Sequence, residues 1–156
     1  MNWTKLLASV VVCQLAGVVG AVFTRAAIPS WYAYLKKPSF TPPNWLFGPA
    51  WITLYLLMAV AAYLVWQKGW QGQGVRPALA IFLVQLLLNV LWSPAFFGWR
   101  SPLAGMIVII LLWLAIAVTI VAFSRISRPA ALLLLPYILW VSYASALNIS
   151  IYFLNR

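Results

Sequence analysis

Three kinds of side chain in this sequence can do chemistry: indoles and phenols, a few amides set inside apolar runs, and ten lysines and arginines. Indole faces take flat conjugated partners by offset stacking. An amide among aliphatic residues must meet a partner in protein or ligand. The basic groups have no acidic side chain to pair with, because Asp and Glu are absent, and His is absent too. That absence removes carboxylate acid–base pairs, Ser-His-Asp triads, His-ligated metals and carboxylate calcium sites. It also removes the intramembrane carboxylate or His relay that proton-coupled pumps use. Cys13, the single cysteine, lies midway along an apolar run and reads as an inert buried thiol. No catalytic acid, base or nucleophile and no metal centre is therefore expected. What remains is stacking, hydrogen bonding and contact with anions.

The formal charge is +10. With no acids present, the partners of these cations are lipid phosphates, helix C-termini, the terminal carboxylate or an anionic ligand. They are scattered singly rather than clustered, which argues against nucleic acid.

Spacing groups the polar and aromatic residues into stripes. Gln85, Asn89, Trp92, Ser93 and Phe96 recur at steps of three and four and so share one helical face. Two readings stand: hydrogen bonds between helices that hold a bundle, or polar anchors in a ligand pocket. Trp51, Tyr55, Met58 and Ala62 form a second stripe, and Trp140, Ala144, Leu147 and Asn148 a third. Each alone suits packing; three stripes pairing large aromatics with small or polar partners suit an apolar cavity with a few polar groups. Leu147, Tyr152 and Arg156 fit the loose spacing proposed for sterol contact, which makes Tyr152 and Arg156 candidate sterol residues.

The elements that must position these groups are membrane helices. Hydrophobic residues make up 66% of the chain and charged ones 6%, too few for a soluble domain. Five apolar runs, about 6–24, 44–66, 77–97, 102–124 and 129–154, are each long enough to cross a hydrocarbon core of about 30 Å. The expectation is one domain over 1–156, an all-α bundle of five transmembrane helices. Lys5 and the apolar core after it resemble a signal peptide, but that core, about 18 residues, exceeds the usual length. Asn44 is a candidate N-cap, and Pro77, Pro102 and Pro129 are placed to start helices. Pro49, Pro94 and Pro136 fall inside runs and are expected to bend them. Short loops imply up-down order for helices two to five. Lys5, Lys68, Arg76, Arg125 and Arg128 then share one membrane face and Arg25, Lys36, Lys37, Arg100 and Arg156 the other, an even split that gives the positive-inside rule no preferred orientation. Ala16-Gly17 and Gly20-Ala21 allow close helix approach, expected within the bundle.

The connection from Trp31 to Trp45 is the long irregular segment. Four of the ten prolines, Pro29, Pro38, Pro42 and Pro43, stiffen it and its approach. A stiff aromatic loop over membrane helices suggests a lid.

The order of these residues resembles a known family. Trp31-Tyr32, Lys37-Pro38-Ser39-Phe40-Thr41-Pro42-Pro43-Asn44-Trp45 and Trp51 are similar to the signature loop of the translocator proteins, or tryptophan-rich sensory proteins. Gln85-Leu86, Asn89, Trp92-Ser93-Pro94 and Phe96-Phe97-Gly98 are similar to that family's third-helix motif, and Pro136-Tyr137-Ile138-Leu139-Trp140 with Leu147-Asn148 to its fifth. Phe40 stands where many members have Trp, and the complete lack of acids is atypical. The resemblance implies a five-helix bundle, often a homodimer, with a pocket beneath the loop between helices one and two. It implies binding of porphyrins, haem, sterols and isoquinoline or benzodiazepine-type drugs as ligands, with no cofactor required. Carried over by motif, the pocket takes Trp31 and Tyr32 from the lid, Trp51 and Tyr55 from helix two, Asn89 and Trp92 from helix three, and Trp140 and Ala144 from helix five. Arg25, Lys36 and Lys37 are then candidates for porphyrin propionates. The expected protein is an integral, multi-pass receptor or sensor in a bacterial or archaeal cell membrane, surrounded by lipid. Two alternatives stand beside it: a transporter of tetrapyrroles or other hydrophobes across the membrane, and light-dependent porphyrin breakdown with Trp51 and Trp140 as photochemical residues.

Overall fold

The computed structural model describes every residue from Met1 to Arg156. Its helices are α1 (Trp3–Ala27), α2 (Asn44–Trp66), α3 (Val75–Ser93), α4 (Pro102–Ser124), α5 (Arg128–Leu133) and α6 (Leu135–Leu154). Five segments are long and apolar enough to cross a membrane, with α5 and α6 together forming the fifth. The bundle closes as a ring: α1 packs on α2 and α3, α3 on α4, α4 on α6, and α2 on α5 and α6. One membrane face carries the N-terminus, the 67–74 loop and the 125–127 turn. The second carries the lid, the 99–101 turn and the C-terminus. Exposed Trp3 and Trp70 mark the first face, and Trp45 and Trp99 the second, where an indole can keep its ring apolar and its N–H wet.

Helix ends follow local chemistry, with three departures from the sequence reading. α1 begins at Trp3, because the Asn2 side chain caps it, accepting from the Lys5 amide at 3.1 Å. Asn44 is not the cap of α2; Pro43 holds that place at φ −62°, ψ 144°, and Asn44 is the first helical residue. The proline's fixed φ ends the extended loop there. α3 starts two residues before Pro77, after Gly74 at φ 76°. Pro77 is tolerated there because the first N–H groups of a helix have no intrahelical acceptor.

The internal prolines act unequally. Pro136 lacks the N–H that would reach Leu132, and the fifth span breaks at Leu134 into α5 and α6. Pro94 converts the end of α3 into a wider turn over Pro94–Gly98, where the Trp99 amide reaches back to the Pro94 carbonyl at 2.8 Å. Pro49 leaves α2 continuous.

A chain of buried side-chain hydrogen bonds runs through the bundle. The Tyr55 hydroxyl donates to Asn89 Oδ1 at 2.7 Å, Asn89 Nδ2 donates to the Tyr137 hydroxyl at 2.6 Å, and that hydroxyl donates to Gln85 Oε1 at 2.7 Å. The chain ties α2, α3 and α6 together. A second tie joins Trp92 Nε1 to Asn148 Oδ1 at 3.0 Å, while Asn148 Nδ2 donates to the Pro102 carbonyl at 2.9 Å. The small residues of α1 lie within the bundle as expected: a Cβ at Gly17 would stand 2.7 Å from the Tyr55 ring, and one at Gly20 3.2 Å from the Ser93 hydroxyl.

The lid is ordered and held at both ends. Tyr32–Tyr34 forms a short 3-10 turn, and Tyr32 inserts edge-on against Phe97 at 5.6 Å between ring centres. The Asn155 side chain clamps the Lys36 backbone, accepting from its amide at 2.9 Å and donating to its carbonyl at 2.8 Å. The Tyr143 hydroxyl donates to the Phe40 carbonyl.

Two stability tests follow from this packing. A Cβ at Gly105 would meet Phe96 Cβ and Asn148 Oδ1, both at 2.8 Å, whereas nothing lies within 4 Å of one at Gly48. Gly105→Ala should therefore lower stability by about 1–3 kcal/mol, and Gly48→Ala should raise it by about 0.5–1 kcal/mol through reduced chain entropy. Thermal unfolding in detergent reads both; an unchanged melting point for Gly105→Ala would mean that Phe96 is free to move. For the lid, Asn155→Ala should speed amide exchange across residues 31–43 while leaving α2 and α3 protected. Equal protection in the variant would assign lid order to Tyr143 and the buried aromatics alone.

Candidate functional site

A cavity of about 550 Å³ lies in the half of the bundle next to the lid. Its walls come from α1, α2 and α3, and the start of the lid closes its end. Tyr55 and Asn89, already bonded to each other, form its polar base. Trp51 flanks Tyr55 with 5.6 Å between ring centres and 32° between planes. Trp92 forms another wall, held by Asn148 and stacked on Phe96 at 5.4 Å and 22°. These two indoles offer ring faces fixed by neighbours, the arrangement that suits a flat ligand.

The opposite wall is small. Gly17, Gly20 and Ala21 of α1 face the rings and leave the volume that larger side chains would fill. Sequence reasoning assigned this stripe to close packing and did not assign it to the cavity. The signal was present in the same periodicity, because Gly17, Gly20, Ala21 and Thr24 recur at helical spacing between the polar Gln14 and the basic Arg25. Phe47 and Ile52 of α2 also line the space. Val18, Trp45 and Ile52 are exposed on the seam between α1 and α2, so the cavity opens sideways toward the bilayer. Deeper in that seam, Gln14 Nε2 donates to the Ile52 carbonyl at 3.2 Å.

The candidate residues divide by position. Tyr32, Trp51, Tyr55, Asn89, Trp92 and Arg25 line the cavity. Trp140 stands one layer behind, edge-on to Trp51 at 6.5 Å and to Phe47 at 6.2 Å, with its indole N–H buried and unpaired. Ala144 is buried in the core beyond it. Trp31 packs on Phe96 at 5.5 Å and does not line the cavity. Lys36 and Lys37 are also outside the lining: Lys37 folds over the Tyr32 ring at 4.8 Å and donates to the Leu35 carbonyl at 3.1 Å. Tyr152 and Arg156 sit at the end of α6, with the Arg156 guanidinium 4.8 Å from the Phe153 ring.

Two features give the cavity its chemistry. Arg25 is exposed at the rim and makes no hydrogen bond within the chain, and no acidic side chain exists to neutralise it. Tyr32 is buried at the lid, its hydroxyl has no hydrogen-bond partner, and burial, with Tyr143 adding to it, pushes its pKa up to about 12. It therefore stays a neutral phenol, buried where the lid meets the bundle. The arrangement can stack a flat apolar body and hold a negative charge at one edge.

Comparison with known proteins places the chain in a family. The model of the TspO/MBR family matches residues 9–154. The Tryptophan-rich protein TspO of Archaeoglobus fulgidus is 49% identical over 156 residues, covering 99% of both chains. The Tryptophan-rich sensory protein of Cereibacter sphaeroides is 36% identical over 155 residues, covering 99% of this chain and 94% of the relative. The Translocator protein of Homo sapiens is 38% identical over 148 residues, covering 94% and 87%. With five membrane-crossing helices and a family match over nearly its whole length, the chain is an integral, multi-pass membrane protein belonging to the TspO/MBR family.

Proposed function

We propose that this protein is a membrane receptor for a flat, hydrophobic, anionic ligand of the tetrapyrrole class, held in the cavity between α1, α2 and α3. Family membership and the sensory and translocator names of its relatives support the coarser statement, a membrane sensor or receptor. The finer statement rests on one observation. Two fixed indole faces, Trp51 and Trp92, share a cavity of about 550 Å³ with an unpaired cation, Arg25, at its rim. That volume falls within the roughly 300–1,000 Å³ of small-molecule sites.

A porphyrin matches these parts by chemistry. Its conjugated plane stacks on the indoles, and its propionates reach the interface where Arg25 stands. Asn89 has its amide engaged by Tyr55 and Tyr137, so it shapes the base more than it bonds the ligand. Trp140 acts through Trp51, holding that ring edge-on rather than meeting the ligand. Related flat hydrophobes, including sterols and isoquinoline-type drugs, would use the same faces without the charge at the rim.

The test is a titration of the detergent-solubilised protein with protoporphyrin IX in the dark, read from tryptophan quenching and porphyrin absorbance. Saturable micromolar binding is expected, with Trp51→Phe weakening it by about two- to tenfold, as replacing an indole face with a smaller phenyl ring predicts. Arg25→Gln should weaken binding of the free acid but leave that of the dimethyl ester unchanged. Quenching equal to that of an unrelated membrane protein, with neither variant moving the midpoint, would mean partition into the micelle and would overturn the reading.

A further inference from the structure

On the membrane face opposite the lid, the five basic residues differ in what holds them. Lys5 donates to the Trp66 carbonyl at 3.3 Å and lies 5.5 Å from the Trp66 ring. Arg76 donates to the Trp70 carbonyl at 3.2 Å and lies 5.7 Å from the Trp70 ring. Lys68, Arg125 and Arg128 are exposed and make no such contact. Lys68 and Arg125 line a common groove of about 620 Å³ between the 67–74 loop and the end of α4; Arg128 does not.

The groove is amphipathic along its length. At the mouth stand the two cations and Gln73, with Gly72 and Gly74 contributing no side chain to narrow it. Its floor is apolar and descends toward the membrane through Val75, Ala78 and Ile81 of α3 and Ala122 of α4. Two cations close to an apolar trough match a phosphate that carries a hydrocarbon chain. A soluble anion would use the cations and leave the trough empty. No carboxylate side chain competes for either charge.

We propose that this groove binds the headgroup of an anionic phospholipid. Lys68 and Arg125 hold the phosphate, and one acyl chain lies along Ala78, Ile81 and Ala122. The site is at the far end of the bundle from the α1–α2–α3 cavity and does not depend on what that cavity takes. Basic side chains near an anionic leaflet contribute additively to lipid attraction; here two of them share one concave site.

The experiment uses the full chain in phosphatidylcholine nanodiscs doped with increasing phosphatidylglycerol, reading thermal stability and, by native mass spectrometry, the number of lipids retained. Phosphatidylglycerol should stabilise the protein saturably, with one or two lipids retained, and extra phosphatidylcholine should not. Lys68→Gln with Arg125→Gln should raise the half-saturating lipid fraction by about tenfold or more, as expected for losing two interfacial cations. Arg128→Gln, which removes one charge from the same face outside the groove, should move it by less than about twofold. If the paired variant fails to fold, each single substitution carries the same test with a smaller shift. Equal effects of Arg128→Gln and of either groove substitution would reduce the attraction to diffuse surface charge and overturn the site. So would an unmoved midpoint in the groove variants. Displacement of the lipid effect by glycerol phosphate at matched concentration would assign the groove to a soluble anion instead.

Discussion

The hydrogen-bond chain from Tyr55 through Asn89 and Tyr137 to Gln85 is the constraint on which the rest of the bundle depends. Each of its groups is buried in a segment that crosses the membrane, where an unpaired amide or hydroxyl has no water to turn to. The chain satisfies them in series and fixes α2, α3 and α6 against one another. Each bond contributes only about 0.6–2 kcal/mol in a membrane interior, but breaking one link leaves a stranded polar group on its partner. The linkage therefore sets register more than it adds stability. Tyr55 and Asn89 emerge from it as the base of the cavity with their orientations already determined.

The missing carboxylates shape the other half of the chemistry. With no internal ion pair available, each cation meets carbonyls and ring faces or remains open to a ligand or lipid. Lys5, Lys37 and Arg76 take carbonyls and aromatic faces of their own chain. The side chains of Arg25, Lys68 and Arg125 make no hydrogen bond within the chain and line the α1–α2–α3 cavity or the groove at the opposite face. Unpaired charge beside an apolar concavity recurs at both membrane faces.

Much of this was legible in the sequence, and the limits were physical. Hydrophobic length and proline placement located the five spans, because crossing a membrane requires continuous backbone satisfaction within each segment. The face carrying Gln85, Asn89 and Trp92 was legible from period alone: Asn89 bonds across helices, and the same residue lines the cavity. The split of the fifth span at Leu134 could be anticipated from Pro136 only as a bend, since proline removes one hydrogen bond without dictating whether the helix resumes. The positions of Lys37 and Trp140 were not legible. One depends on how the lid folds back on Tyr32, and the other on which ring of α2 meets α6. Both are tertiary choices between equally apolar neighbours, and a one-dimensional pattern does not rank them.

The cavity's size follows from the same constraint that fixes its base. A ring wall facing a helix of ordinary side chains would close by packing, since interiors tolerate few voids. Here the facing stretch of α1 offers Gly17, Gly20 and Ala21. A side chain at Gly17 would meet the Tyr55 ring at 2.7 Å. Tyr55 cannot swing away without giving up its bond to Asn89, which would then strand Asn89 beside Tyr137 in the membrane interior. The small residues and the buried hydrogen bonds are thus one device. Close approach of α1 is possible only because its residues are small, and the space beside that approach persists because the rings across from it are tethered to α3 and α6.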